Sequence, residues 1–328
     1  MQCAGSLLHL FHAIRDMGAG EFQLIQSCFG GKSEHLNAAT TLGIGDDASI
    51  HKLEPGMQWV VSTDSSIESV HWPSDLPLAV AADRAICSAL SDLAAMGAQP
   101  LMVWQNVMAK NSQAVREMAQ GSLAALNRHQ VQLVGGDTCR SPVNALSVTV
   151  AGQLPEGTAM LRSAARAGDA IWLVGTLGFH ALGLQQWMDG HQTGCFVADF
   201  TRIEPKLAQG QRLRQAGVRC CIDISDGLLQ DTGHVANASA VRMDIDLQYI
   251  PGWEKIIREA GRDRAIQAVT SGGEDYALLF TAADSVQLPV DLAVKIGHCS
   301  QGEGVYLSVD KEELVMQSLR TGGYDHFS

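Results

Sequence analysis

Leu42-Gly43-Ile44-Gly45-Asp46-Asp47-Ala48 sets two adjacent carboxylates among flexible glycines, with no cation beside them in the chain. Later stretches add more acid instead of base: Ser62-Thr63-Asp64, the segment around Asp92, Gly135-Gly136-Asp137, and Asp223-Ile224-Ser225-Asp226-Gly227. At about 5 Å and an effective dielectric near 20, each close carboxylate pair repels by roughly 3 kcal/mol. Divalent cations reverse that sign, and hard oxygen donors suit magnesium when phosphates complete its shell. These acids recur at the ends of apolar runs that alternate with helical stretches. That alternation points to an α/β chain.

Length and composition narrow the class. A chain of 328 residues exceeds the usual single core, so two domains are expected. The net charge of -12 disfavours non-specific nucleic-acid binding, because phosphate backbones attract basic surfaces. The eight cysteines are scattered, without a CxxC pair, which fits a reduced cytoplasm better than a disulfide framework. No run approaches the roughly 18 apolar residues of a membrane span, and Ser6–Ile14 lacks the basic residues that precede a signal-peptide core.

Along the chain, residues 1–19 are uninformative, either a short helix or an unstructured lead. Gly31-Lys32-Ser33 invites a nucleotide-loop reading, but Gln26 stands where that motif needs glycine, so a helix ending in a glycine cap is expected. Trp59–Thr63 reads as a buried strand with Asp64 at its carboxyl end, where α/β sheets place ligand-binding acids; a strand-end turn is the plainer alternative. Pro77–Gly97 is helical in pattern, and Asp92 in its last turn opposes the helix dipole, which a cation would relieve. Leu101–Met108 reads as a strand, Ser112–His129 as an amphipathic helix, Val131–Val134 as a strand ending in the Gly135-Gly136-Asp137 turn, and Ala145–Leu154 as a strand. Pro155–Gly168 marks the connection between domains, and Arg162 in it is either a phosphate ligand or a solvated surface residue.

In the second half, Ala170–Val174 leads through Gly175-Thr176-Leu177-Gly178 into a helix whose amino terminus can hold an anion. Arg219–Ile224 is a strand delivering Asp223, Ser225 and Asp226 before the helix Leu228–Ala238. Asp226 taken alone reads as a helix cap, whereas capping does not explain Asp223. Ser271–Asp275 gives a further glycine turn carrying Glu274 before the strand Tyr276–Thr281.

Together Gly43–Ala48, Ser62–Asp64 with His71, Ser91–Ala98, Val134–Thr138, Leu161–Asp169, Ile222–Leu228, Ser271–Leu278 and Gly323–Phe327 resemble the thiamine-monophosphate kinase family, one of the ATP-using groups similar to aminoimidazole ribonucleotide synthetase. The match runs from about Gly20 to Phe327, and eight strings in order make the resemblance specific. It implies an α/β (α+β), two-domain aminoimidazole ribonucleotide synthetase-like fold with mixed sheets flanked by helices: an extension at 1–19, an ATP- and magnesium-binding, dimerising domain at 20–155, and an α/β domain at 156–328. It implies transfer of the ATP γ-phosphoryl group to thiamine monophosphate in a cytoplasmic homodimer, with no nucleic-acid or membrane partner. Because the match begins at Gly20, Met17 is expected as the natural start.

Position by position, the resemblance makes Asp46, Asp47, Ser62, Thr63, Asp64, Asp92, Asp137, Asp223 and Asp226 ligands of several magnesium ions. Gly136, Asp137, Arg162 and Ser225 would contact ATP, and His71, Glu274 and Tyr324 thiamine monophosphate. The chain departs from the family at Ala89, where many relatives carry Asn, and at Thr321, near which relatives often carry a stacking aromatic. The acceptor is a phosphate whose second pKa is near 6, so it needs no catalytic base. Direct transfer without a Ser, Cys or His nucleophile is therefore expected. Two alternatives stand beside this reading. Another synthetase-like enzyme is one, although a selenophosphate synthetase would want a reactive cysteine near a glycine-rich start and a hydrogenase-maturation protein a terminal cysteine. A non-catalytic cation-binding module is the other.

Overall fold

The computed structural model describes residues 21–32, 37–45, 47–289, 291–310 and 312–314. The expectations at Asp46, at Tyr324 with the closing Gly323–Phe327 stretch, and at Met17 with its lead lie outside them.

The first half begins with helix α1 (Glu21–Phe29) and a small antiparallel pair, β1 (Thr40–Leu42) and β2 (Ile50–His51). Then follow β3 (Met57–Ile67), α2 (Leu78–Ala95), β4 (Gln99–Ala109), α3 (Ser112–His129), β5 (Gln132–Arg140) and β6 (Ala145–Pro155). The four long strands form one sheet in the order β3-β6-β4-β5, antiparallel except for the parallel β4–β5 pair that the α3 crossover joins. Period-two alternation decides what each face does. On β3, Ser62 and Asp64 reach α2, while Val61 on the opposite face is 60% exposed. Helix α3 starts at Asn111, whose side chain accepts from the Ala114 N–H, and ends in left-handed Gln130. It crosses α2 at Gly121, where a Cβ would lie 1.9 Å from the Ala79 carbonyl oxygen.

The alanine-rich α2 is buried on nearly every side because it lies between this sheet and the second half of the chain. That half contains β7 (Ala170–Val174), α4 (Phe179–Met188), α5 (Val197–Thr201), α6 (Leu207–Gln215), β8 (Cys220–Ile224), α7 (Leu228–Ser239), β9 (Arg242–Asp246), α8 (Trp253–Ala260), α9 (Arg262–Ser271), β10 (Ala277–Ala282), β11 (Val294–Ser300), β12 (Gly304–Val309) and β13 (Glu312–Glu313). Its seven strands are ordered β13-β12-β9-β11-β7-β10-β8, with only β9–β12 parallel. One face packs on the helices through Leu173, Ile222, Met243 and Leu279. The other contributes Leu278 and Phe280 to the same apolar cluster as Leu90, Leu93 and Val150 of the first half.

Two expected strand ends move. Strand β3 does not stop at Thr63, because it pairs with β6 in unbroken register from Met57–Pro155 to Ile67–Ala145, so Asp64 sits within the strand. Likewise β5 does not turn after Val134: Gly135, Gly136 and Asp137 pair with Trp104, Gln105 and Asn106, and the strand runs to Arg140.

Candidate active site

At the β3 edge of the four-stranded sheet lies a cavity of about 360 Å³, lined by Thr63, Asp64, His71, Asp92, Asp223, Ser225, Asp226 and Glu274 among others. Among the described residues, neither lysine nor arginine lines it. The acids arrive from both halves of the chain, and α2 is the element that meets each. Its Asp92 accepts from the Ser62 hydroxyl at 2.5 Å, and its Ser88 hydroxyl donates to Asp64 at 2.8 Å. Burial raises the Asp92 carboxyl above the usual range and Asp64 adds repulsion, while Ser62 and the Arg162 charge pull the other way. On β8, burial and the charge of Asp92 push Asp223 up to about 7. Arg162, in the single 3-10 turn before β7, is exposed and lowers both carboxyls through its charge.

The turn after β8 is held by a residue that the sequence did not single out. Asp231, in the first turn of α7, accepts through one oxygen from the N–H groups of Ser225, Asp226 and Gly227 at 2.9, 3.0 and 3.2 Å. The plainer reading of Asp226 as a helix cap does not hold: Gly227 occupies the cap position, and Asp226 lines the cavity, where it accepts from Gln230. Burial raises Asp231 to about 7 against the pull of these donors. The only signal for it in sequence is an acid in a first helical turn. The glycine turn before α4 does meet an anion, but one supplied by the chain: buried Asp275 accepts from the Gly178 and His180 N–H groups.

Glu274 enters the cavity from a left-handed backbone position, φ +58°, with its N–H donated to the Ser225 carbonyl. Its carboxylate meets Arg84 at 2.8 Å, a buried cation on α2 that no local pattern reveals. His71 Nδ1 accepts from the Ile67 N–H at 3.0 Å, which in the neutral ring puts the proton on Nε2.

Asp47, Gly136 and Asp137 are elsewhere. They line a second cavity, about 480 Å³, at the β5 edge, together with Gly43, Gly45, Trp104 and Phe29. Gly136, at φ +147°, lets its backbone pass so near β4 that a Cβ would lie 2.0 Å from the Gln105 carbonyl oxygen. Register across the sheet aligns Asp137 with Asn106, Ser147 and Ser65. Three interstrand spacings, about 14 Å, therefore separate it from the β3 edge. Among the described residues no three His, Cys, Asp or Glu side chains gather tightly enough to hold an ion alone. Magnesium is usually held by one or two carboxylates, waters and substrate phosphates, so the mutually repelling, hard-oxygen donors of the first cavity fit it in that role.

Models of the AIR synthase related protein family match this chain, the N-terminal domain over residues 45–154 and the C-terminal domain over 166–323. Thiamine-monophosphate kinase of Escherichia coli (strain K12) is 34% identical over 332 residues, covering 95% of this chain and 99% of the relative. The chain belongs to the thiamine-monophosphate kinase family. The crystal structure of a family member from Stenotrophomonas maltophilia K279a superposes with a TM-score of 0.74 at 34% identity, covering 85% of this chain and 93% of that one. AaThiL, complexed with AMPPCP and TMP, shares the fold at 24% identity and a TM-score of 0.72, over 82% and 90% of the two chains.

Of the described residues that likeness to thiamine-monophosphate kinases singles out, the fold gathers Thr63, Asp64, His71, Asp92, Asp223, Ser225, Asp226 and Glu274 on one cavity, with Ser62 against Asp92. It leaves Asp47, Gly136 and Asp137 at the other edge of the sheet.

Proposed function

We propose that this chain transfers the γ-phosphoryl group of ATP to thiamine monophosphate, giving thiamine diphosphate and ADP, by direct in-line attack. The observation that carries the reading is the convergence of Asp64, Asp92, Asp223 and Asp226, from two sheets and a helix, on one cavity without a lining cation. Such a site is matched to polyphosphates accompanied by divalent metal. When bound, magnesium neutralises charge between the two phosphates and so lowers the main barrier to their meeting. Asp64, Asp92, Asp223 and Asp226, with Ser62 and Thr63, are the residues to hold it, and Arg162 and Ser225 to contact ATP. His71 and Glu274, the latter as an acceptor, are the residues to contact thiamine monophosphate. The acceptor oxygen is already largely ionised at neutral pH, so the transfer requires no base to activate it.

The same proposal accounts for the second cavity. In a homodimer that sets the β5 edge of one copy beside the β3 edge of the other, Asp47, Gly136 and Asp137 complete the partner copy's site. Two-fold symmetry then makes two such sites. We place the domain division at 20–155 and 156–328, a reading supported by the two separate sheets, against both of which α2 packs. No helix among the described residues is long and apolar enough to cross a membrane, and the free thiols fit a reducing cytoplasm.

Incubation of the protein with ATP, magnesium and thiamine monophosphate tests the reading: thiamine diphosphate and ADP should appear in equal amounts. Phosphate from labelled ATP trapped on the protein would contradict direct transfer.

A further inference from the structure

Arg84 is 4% exposed, and its guanidinium is shared between two segments remote in sequence. Nη1 donates to the Phe200 carbonyl of α5, and the guanidinium carbon lies 4.7 Å from the centre of the Phe200 ring. Nη2 donates to Glu274 Oε2 at 2.8 Å. Arginine's planar fork makes this division possible, since its donors point in fixed and different directions. The receiving residue is held twice. The Glu274 backbone is fixed in a left-handed conformation by its N–H bond to Ser225, between Gly273 at φ +67° and Tyr276 at φ +48°. The Glu274 side chain, 30% exposed beside the cavity, is fixed by Arg84 through one oxygen, which leaves Oε1 as the oxygen available to a ligand.

We propose that Arg84 is a positioning residue: through Oε2 it orients the Glu274 carboxylate so that Oε1 meets thiamine monophosphate in a fixed direction. This rests on the assignment of Glu274 to that substrate made above. Phe200 is in turn packed against Trp187, whose indole N–H donates to Asp75 at 3.2 Å, so the cation that aims Glu274 is anchored outside the cavity. A carboxylate left to rotate must lose that freedom on binding, and the loss shows in substrate affinity rather than in turnover.

A double-mutant cycle on the full chain tests this: R84M, E274Q and R84M/E274Q, read by steady-state kinetics for each substrate. R84M should raise KM for thiamine monophosphate about tenfold, while KM for ATP and kcat stay within about threefold. The double variant should be no worse than E274Q alone. R84K should regain part of the loss, because one ammonium reaches Glu274 without the second nitrogen that Phe200 needs. An R84M penalty that falls equally on both KM values, or persists undiminished in the E274Q background, would overturn the positioning role. An E274Q variant with unchanged KM for thiamine monophosphate would instead overturn the assignment of Glu274. If R84M does not fold, R84K carried through the same cycle gives the same two decisions.

Discussion

The β3 edge and the β5 edge of the same four-stranded sheet each carry acids, but in opposite surroundings. At β3, Asp223 is buried and Asp92 half-buried, both are raised by burial and by the charge of a neighbouring acid, a hydroxyl supports Asp92, and Asp231 holds the turn beside them. At β5, Asp137 is exposed beside a glycine whose backbone is bare. The first edge stores unfavourable charge in a fixed place, as a cation site must; the second lets a ligand approach the main chain closely. In the proposed dimer, their separation across three strands makes them two half-sites carried by one copy of the chain.

The test with the largest expected effect attacks the buried edge. Asp64→Asn should lower the phosphorylation rate by about a thousandfold, measured as thiamine diphosphate formed, while circular dichroism stays unchanged. A variant that remains fully active removes Asp64 from the site. Next in size is a mixing experiment between the edges. Asp64→Asn and Asp137→Asn should each be inactive alone; an equal mixture, after exchange of subunits, should recover about a quarter of the wild-type activity, because half the dimers then hold one intact composite site. No recovery, with exchange verified by tagged subunits, would mean that each copy works with its own residues.

A smaller effect concerns stability without divalent cation. The folded value of about 7 for Asp223 lies above the ordinary unfolded value near 4, so the folded chain binds more protons between them. The sign follows: chelator-treated protein should lose stability as pH rises from about 4 to about 7, by up to about 4 kcal/mol in denaturant titrations. Magnesium should flatten that slope, whereas Asp137→Asn should not. The smallest effect is chemical. Cys139 on β5 and Cys195 are exposed, while burial pushes the Cys220 and Cys299 thiols up to about 11 and 12. Alkylation should therefore reach Cys139 and Cys195 first among the described cysteines, and raising protein concentration should protect Cys139 alone if β5 lies in the dimer contact.

Local pattern foresaw much of the scaffold. Helix α3 runs over the expected Ser112–His129, and β7 over Ala170–Val174, because capping and periodicity are contained in adjacent residues. The extents of β3 and β5 were not visible, since what prolongs them past Asp64 and through Gly135-Gly136 is pairing with β6 and β4, a tertiary partner that overrides turn propensity. The acids themselves stood out as unneutralised charge. Which edge each would occupy depends on strand order, and nothing near Asp137 encodes that. Arg84 and Asp231 were missed for the same reason: an arginine in an alanine-rich helix and an acid in a first helical turn look ordinary until their partners, 190 and 5 residues away, are in place.

That span of 190 residues bears on synthesis. A ribosome releases the chain from its amino end, so α2 can emerge and pack while the turn bearing Glu274 is still unmade. Until then Arg84 is a cation destined for a buried position whose counter-ion does not yet exist, and the cavity beside it stays open. Binding competence is therefore among the last properties the nascent protein acquires.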